Sequence, residues 1–153
     1  DPRGSGRPTL RVRAGSTALR STRRHDPAIE TRVSRLEGRV SGLRVTFPIR
    51  ATNGEAADLL LDTGFQGELA LDAATLVRLG FDGPVGVSPV ELGGGSGADL
   101  FVDQGRIGWL DGELEVSALM IQSTEGAMGL GLLRDVQFTL NTKSRHAAIE
   151  KAP

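Results

Sequence analysis

The chain has 153 residues, room for one domain of ordinary size, and its net charge is -1. It contains no cysteine, which excludes disulfides, thiolate nucleophiles and Cys-based zinc sites. The small net charge hides two unlike parts: residues 1–50 hold 12 Arg against 4 acids, whereas residues 51–153 hold 6 bases against 15 acids. No apolar run approaches the roughly 20 residues that cross a bilayer. No charged start leads into an apolar signal core. A cytoplasmic location is the resulting expectation.

Residues 1–38 read as a basic, flexible arm. They are rich in Gly, Ser, Thr, Pro and Arg and carry few large apolar residues to offset ordering entropy. Within the arm, Asp26 caps an expected short helix from Pro27 to Glu37, with Ile29, Val33 and Leu36 on one face. Arg3, Arg7, Arg11, Arg13, Arg20, Arg23 and Arg24 offer a charge-based attraction to nucleic acid or an anionic surface. The arm has no aromatic residue to stack on a base, which favours a solvated linker or pro-segment over a nucleic-acid binder.

Residues 39–153 read as one domain of short apolar segments separated by Gly, Asn and Asp. Leu43 to Arg50 is an expected strand, and Asn53-Gly54 an expected hairpin turn. Ala57 to Leu61 and Gln66 to Leu71 are the next strands. Asp72 then caps a short helix, Ala73 to Leu79, which Gly80 ends. Val85 to Leu92 and Ala98 to Gln104 flank a glycine tip, Gly93-Gly94-Gly95-Ser96-Gly97. Arg106 to Leu110 and Glu113 to Ile121 flank the Asp111-Gly112 turn. Leu130 to Leu133 suits a helical turn, and Val136 to Leu140 and His146 to Glu150 close the chain as strands. The sum is roughly nine strands and one clear short helix, an all-β barrel or closed sheet.

One string combines this architecture with chemistry. The apolar run Leu59-Leu60-Leu61 ends at Asp62-Thr63-Gly64, and a second apolar stretch follows almost at once. This sets a small acid at the tip of a buried strand, where a carboxylate must be hydrogen-bonded, paired or neutralised. Taken alone, the triplet fits an Asx turn. Its chemical reading needs two such acids, because two carboxylates a few ångströms apart share one proton. The ionised member takes a proton from water and the protonated member donates to a peptide carbonyl. The chain has one triplet, so a symmetric dimer would supply the second. Thr63 would brace the loop by a hydrogen bond, and Gly64 lets its N–H approach the carboxylate.

The segment Leu60-Leu61-Asp62-Thr63-Gly64-Phe65-Gln66-Gly67-Glu68-Leu69-Ala70-Leu71, followed by Leu76-Val77-Arg78-Leu79-Gly80-Phe81, resembles the bacterial and archaeal retropepsin-like aspartic proteases. The resemblance continues at Ala127-Met128-Gly129-Leu130-Gly131-Leu132-Leu133-Arg134-Asp135-Val136-Gln137-Phe138-Thr139-Leu140. It runs from about Leu43 to Glu150. It implies a closed β fold with Asp62 as catalytic acid, Thr63 as its buttress and Gly64 completing the loop. It further implies a flap at Gly93, Gly94, Gly95, Ser96 and Gly97, structural support from Met128 and Gly129, and a homodimer with two facing Asp62 side chains. The implied activity is an endopeptidase that needs no metal or organic cofactor. The rival reading is a retropepsin-fold binding or oligomerisation module that does not cleave.

Other candidates are weaker. The Gly93 to Gly97 run lacks the Gly-Lys-Ser/Thr ending and the long following helix of a phosphate loop. His25 and His146, the two histidines, are too few for a His-based metal site and ill placed for a serine-type triad. Asp99, Asp103, Asp111 and Glu113 are expected on solvated faces and turns. Trp109 suits partly buried packing better than a dimer anchor.

Overall fold

The computed structural model describes residues 35–91 and 94–153. Its described residues form ten strands, one α-helix and one 3-10 turn. Strand β1 is Arg35–Ser41, β2 Arg44–Ala51, β3 Ala56–Leu61 and β4 Leu69–Asp72; helix α1 is Ala73–Arg78. Strand β5 is Pro84–Glu91, β6 Gly97–Trp109, β7 Gly112–Ile121 and β8 Ala127–Met128. The 3-10 turn Leu130–Leu133 leads to β9, Val136–Asn141, and β10, His146–Lys151.

All ten strands share one sheet, in the order β5-β6-β7-β4-β8-β3-β2-β1-β10-β9. The far half of β2 also pairs with β6, through Arg50↔Gly108 and Ala51↔Ile107. Six strands therefore close into a ring: β2, β3, β8, β4, β7 and β6. Closure removes the free edges that an open sheet would leave along those strands. Beyond the ring, β5 hangs from β6 as a hairpin, and β1, β10 and β9 extend the sheet past β2. The ring's interior is the core. Phe47, Ile49, Leu59, Leu69, Leu71, Ile107, Val116 and Met128 are buried there. Phe47 and Ile49 on β2, Leu69 and Leu71 on β4, and Val116 and Ala118 on β7 follow the inward period of two.

The short helix forms as its caps direct. The Asp72 carboxylate accepts from the Thr75 N–H at 3.1 Å and from the Thr75 hydroxyl at 2.6 Å. The hydroxyl bond, then the backbone one, hold the Asp72 carboxyl below its usual range. At the other end, Gly80 takes φ 78°. The Gly80 N–H donates to Val77 at 3.0 Å and the Phe81 N–H to Leu76 at 3.0 Å, a Schellman closure with Leu76 and Phe81 both buried.

Three expectations are corrected. Arg35, Leu36 and Glu37 are not helical but strand, paired with Glu150, Ile149 and Ala148. Leu36, Gly38 and Val40 alternate inward, and period two prevails over the helical spacing of Ile29, Val33 and Leu36. The rest of that expected helix, and the arm through residue 34, lie outside the described residues. Secondly, Ala98–Gln104 and Arg106–Leu110 are not two strands. β6 runs unbroken through Gly105, whose missing side chain makes room for the Phe81 ring, 2.8 Å from a built β-carbon. Thirdly, Gln66, Gly67 and Glu68 are not strand. The chain there is committed to other bonds, described next.

Candidate functional site

Asp62 follows the last residue of β3, and its own backbone N–H donates to the Met128 carbonyl at 2.9 Å. The loop then turns sharply, with the Phe65 N–H donating back to the Asp62 carbonyl at 3.2 Å. Inside this turn the Gly64 N–H donates to Asp62 Oδ1 at 2.9 Å. A β-carbon on Gly64 would stand 3.2 Å from that oxygen, so glycine eases the close approach. Asp62, Thr63 and Gly64 are all exposed. The carboxylate is thus held at one oxygen and open to solvent, or to a partner, at the other.

A second segment holds the loop from behind. β8 pairs in parallel with β3, Leu60↔Ala127 and Leu61↔Met128, and antiparallel with β4. Met128 is wholly buried. After it, three successive amides reach across. Gly129 N–H donates to the Glu68 carbonyl at 2.9 Å, Leu130 N–H to Phe65 at 2.8 Å and Gly131 N–H to Gly67 at 2.9 Å. These bonds occupy the carbonyls of Phe65, Gly67 and Glu68, which is why that stretch does not join a strand ladder. The two backbones pack in direct contact: a β-carbon on Gly129 would lie 2.3 Å from the Gly67 carbonyl oxygen, and one on Gly131 2.7 Å from it.

The glycine tip joins β5 to β6. Gly93 lies outside the described residues. Gly94 and Gly95 take φ 100° and 79°, Ser96 is exposed, and Gly97 opens β6. Nothing lies within 4 Å of a β-carbon built on Gly94 or Gly95. Gly94 and Gly95 therefore make a left-handed turn with open space beside their α-carbons.

Asp103 departs from its expected solvated place. It is 3% exposed, and its Oδ1 has no hydrogen-bond partner among the described residues. It sits in β6 between Pro84 of β5 and Ala118 of β7, neither of which offers it a side-chain donor. Burial pushes its carboxyl above the ordinary range. The signal was present in the sequence: Asp103 is in phase with Ile107, the inward position four residues on. Trp109 is half-buried and packs on the core as expected. Among the described residues no group of three or more His, Asp or Glu side chains is arranged to hold a metal ion, and no helix is long and apolar enough to cross a membrane.

A closed sheet, an acid turn crossed by a short parallel strand, and a projecting hairpin together make a retropepsin-like all-β fold. Among solved structures the chain is similar to the crystal structure of a retropepsin-like aspartic protease from Rickettsia conorii, with a TM-score of 0.59 and 14% sequence identity over 76% of this chain and 90% of that one. At that identity the likeness establishes the fold. No family model matches the chain, and no curated protein matches it in sequence.

Proposed function

We propose that the chain is an aspartic-type endopeptidase, active as a homodimer in which the Asp62 side chains of two copies face each other. The observation that carries this reading is the exposed Asp62 carboxylate, fixed through Oδ1 by the Gly64 N–H on a loop braced by Gly129, Leu130 and Gly131. Such bracing holds a reacting group in place before substrate arrives. One copy supplies one acid, and general acid–base hydrolysis of an amide without a covalent intermediate takes two. The ionised carboxylate of the pair removes a proton from water as its oxygen attacks the carbonyl carbon. The protonated partner donates to the carbonyl oxygen, and later a proton passes to the leaving nitrogen. The β5–β6 hairpin serves as the cover, closing over an extended peptide that adds strand-like backbone hydrogen bonds.

The test is Asp62→Asn in the full chain, assayed on a mixed peptide library by mass spectrometry. Hydrolysis is expected to fall at least about a hundredfold, with thermal stability and solution mass unchanged and a statine-type mimic binding wild type as a dimer. Undiminished cleavage by the variant, or a monomer indifferent to the mimic, overturns the proposal. The second result leaves the non-cleaving module as the better description.

A further inference from the structure

The β5–β6 hairpin has two unlike faces. Ser88, Val90, Ala98, Leu100 and Val102 are half-buried, while Val87, Pro89, Glu91, Asp99 and Phe101 are exposed. Pairing places the second set on one face: Val87 lies opposite Phe101 and Pro89 opposite Asp99. By the period of two, Phe101 and Asp99 are in phase with Asp103 and Ile107, the buried residues farther down β6. The exposed face therefore continues the inner face of the closed sheet beyond the core. Val87 is 57% and Phe101 53% exposed, a large apolar pair with no cover. Beside it, toward the tip, stand Glu91 and Asp99. Neither has a cation within 4 Å among the described residues, whose ion pairs lie elsewhere. A shallow groove there is lined by Pro89, Val90, Glu91, Gly97, Ala98 and Asp99.

The surrounding sequence sharpens the electrostatics. Between Arg78 and Arg106 the chain has no Lys or Arg, and of the acids there Glu91 and Asp99 stand on the exposed face while Asp103 is buried. The charged groups on the face itself are thus two carboxylates, which favour cations and repel acids. We infer that the occupant of this face is a basic peptide: a bulky apolar side chain rests on Val87 and Phe101, and an arginine or lysine side chain next to it meets Asp99 and Glu91. The inference rests on the endopeptidase reading for its position over the reacting bond and names the substrate class of that site. Apolar contact supplies affinity, and the two carboxylates supply the choice among peptides.

Two labelled peptides of about eight residues test it by fluorescence anisotropy. One has a central Leu-Phe flanked by arginine, and its twin has glutamine in place of arginine. The full chain carries Asp62→Asn so that binding is read without turnover. The arginine peptide is expected to bind roughly five- to tenfold tighter, as two solvent-facing ion pairs allow, and the preference should shrink in about 0.5 M salt. Glu91→Gln with Asp99→Asn should bring both peptides to the same Kd and leave the glutamine twin's unchanged. Phe101→Ala should weaken both alike. Equal binding by the parent, no binding of either peptide, or a preference that survives the double neutralisation overturns the inference. So does a Phe101→Ala variant that changes solution mass but not peptide affinity, since a second copy then covers the face. Cleavage of the arginine peptide by wild type is followed separately: selective binding without cleavage refutes the endopeptidase reading and leaves the recognition standing.

Discussion

The loop that carries Asp62 and the hairpin that ends at Gly97 both depend on glycine, in opposite ways. In the loop, glycine removes atoms so that backbones can touch. Gly129 and Gly131 lie against the Gly67 carbonyl, and their amides bond the loop's own carbonyls. In the hairpin, Gly94 and Gly95 meet nothing and supply only a left-handed turn. The first use braces the acid loop; the second supplies backbone dihedrals that a side chain would strain. Close backbone packing and an open turn thus fall to separate parts of one sheet.

If that division holds, damage to the two regions should be felt differently. The largest effect is expected for Gly129→Ala, whose β-carbon would press on backbone that cannot swing aside. A loss of about 3 kcal/mol or more is expected in chemical denaturation, with any hydrolytic activity lost in step. Met128→Ala should follow at roughly 2–5 kcal/mol, because it empties a wholly buried site behind Asp62. Asp103→Val sits at the hairpin's root and should stabilise by about 1 kcal/mol, since it removes a buried, unpartnered acid. The pH dependence has a definite sign. A carboxyl raised by folding binds its proton more tightly in the native state, so wild-type stability declines as pH rises from about 4, the ordinary carboxylate value, through the raised one. The valine variant lacks that decline, so its advantage should widen with pH. An advantage that narrows with pH would mean that the acid has a cationic partner. The smallest effect is expected for Gly95→Ala. Its left-handed strain of about 1 kcal/mol should speed hydrogen exchange at the hairpin tip, while the global melting temperature barely moves.

How much of this was readable beforehand also differs by region. The acid turn was legible because it is local: an apolar run, a small acid, a glycine, then another apolar run. The capped helix and the Asn53-Gly54 turn were legible for the same reason, whereas the turn read at Asp111-Gly112 falls one residue earlier, on Leu110 and Asp111, because Trp109 pairs with Gly112. What escaped was set by distant partners. β8 has two residues and no pattern of its own; it exists because β3 and β4 flank it. Gln66 to Glu68 look like strand until Gly131 and Gly129 claim the carbonyls of Gly67 and Glu68. Gly105 reads as a break until Phe81 is found above it. Asp103 reads as surface because a buried, unpartnered carboxyl contradicts the ordinary preference of aspartate.

The parallel pairing of β3 with β8 also has a bearing on how the protein is made. Leu60 and Leu61 must wait for Ala127 and Met128, and contacts so remote along the chain are slow to form. During synthesis the acid turn emerges well before the segment that clamps it. A nascent or truncated product ending short of Gly131 carries the acid without its frame; under the endopeptidase reading, hydrolysis waits until that segment has emerged.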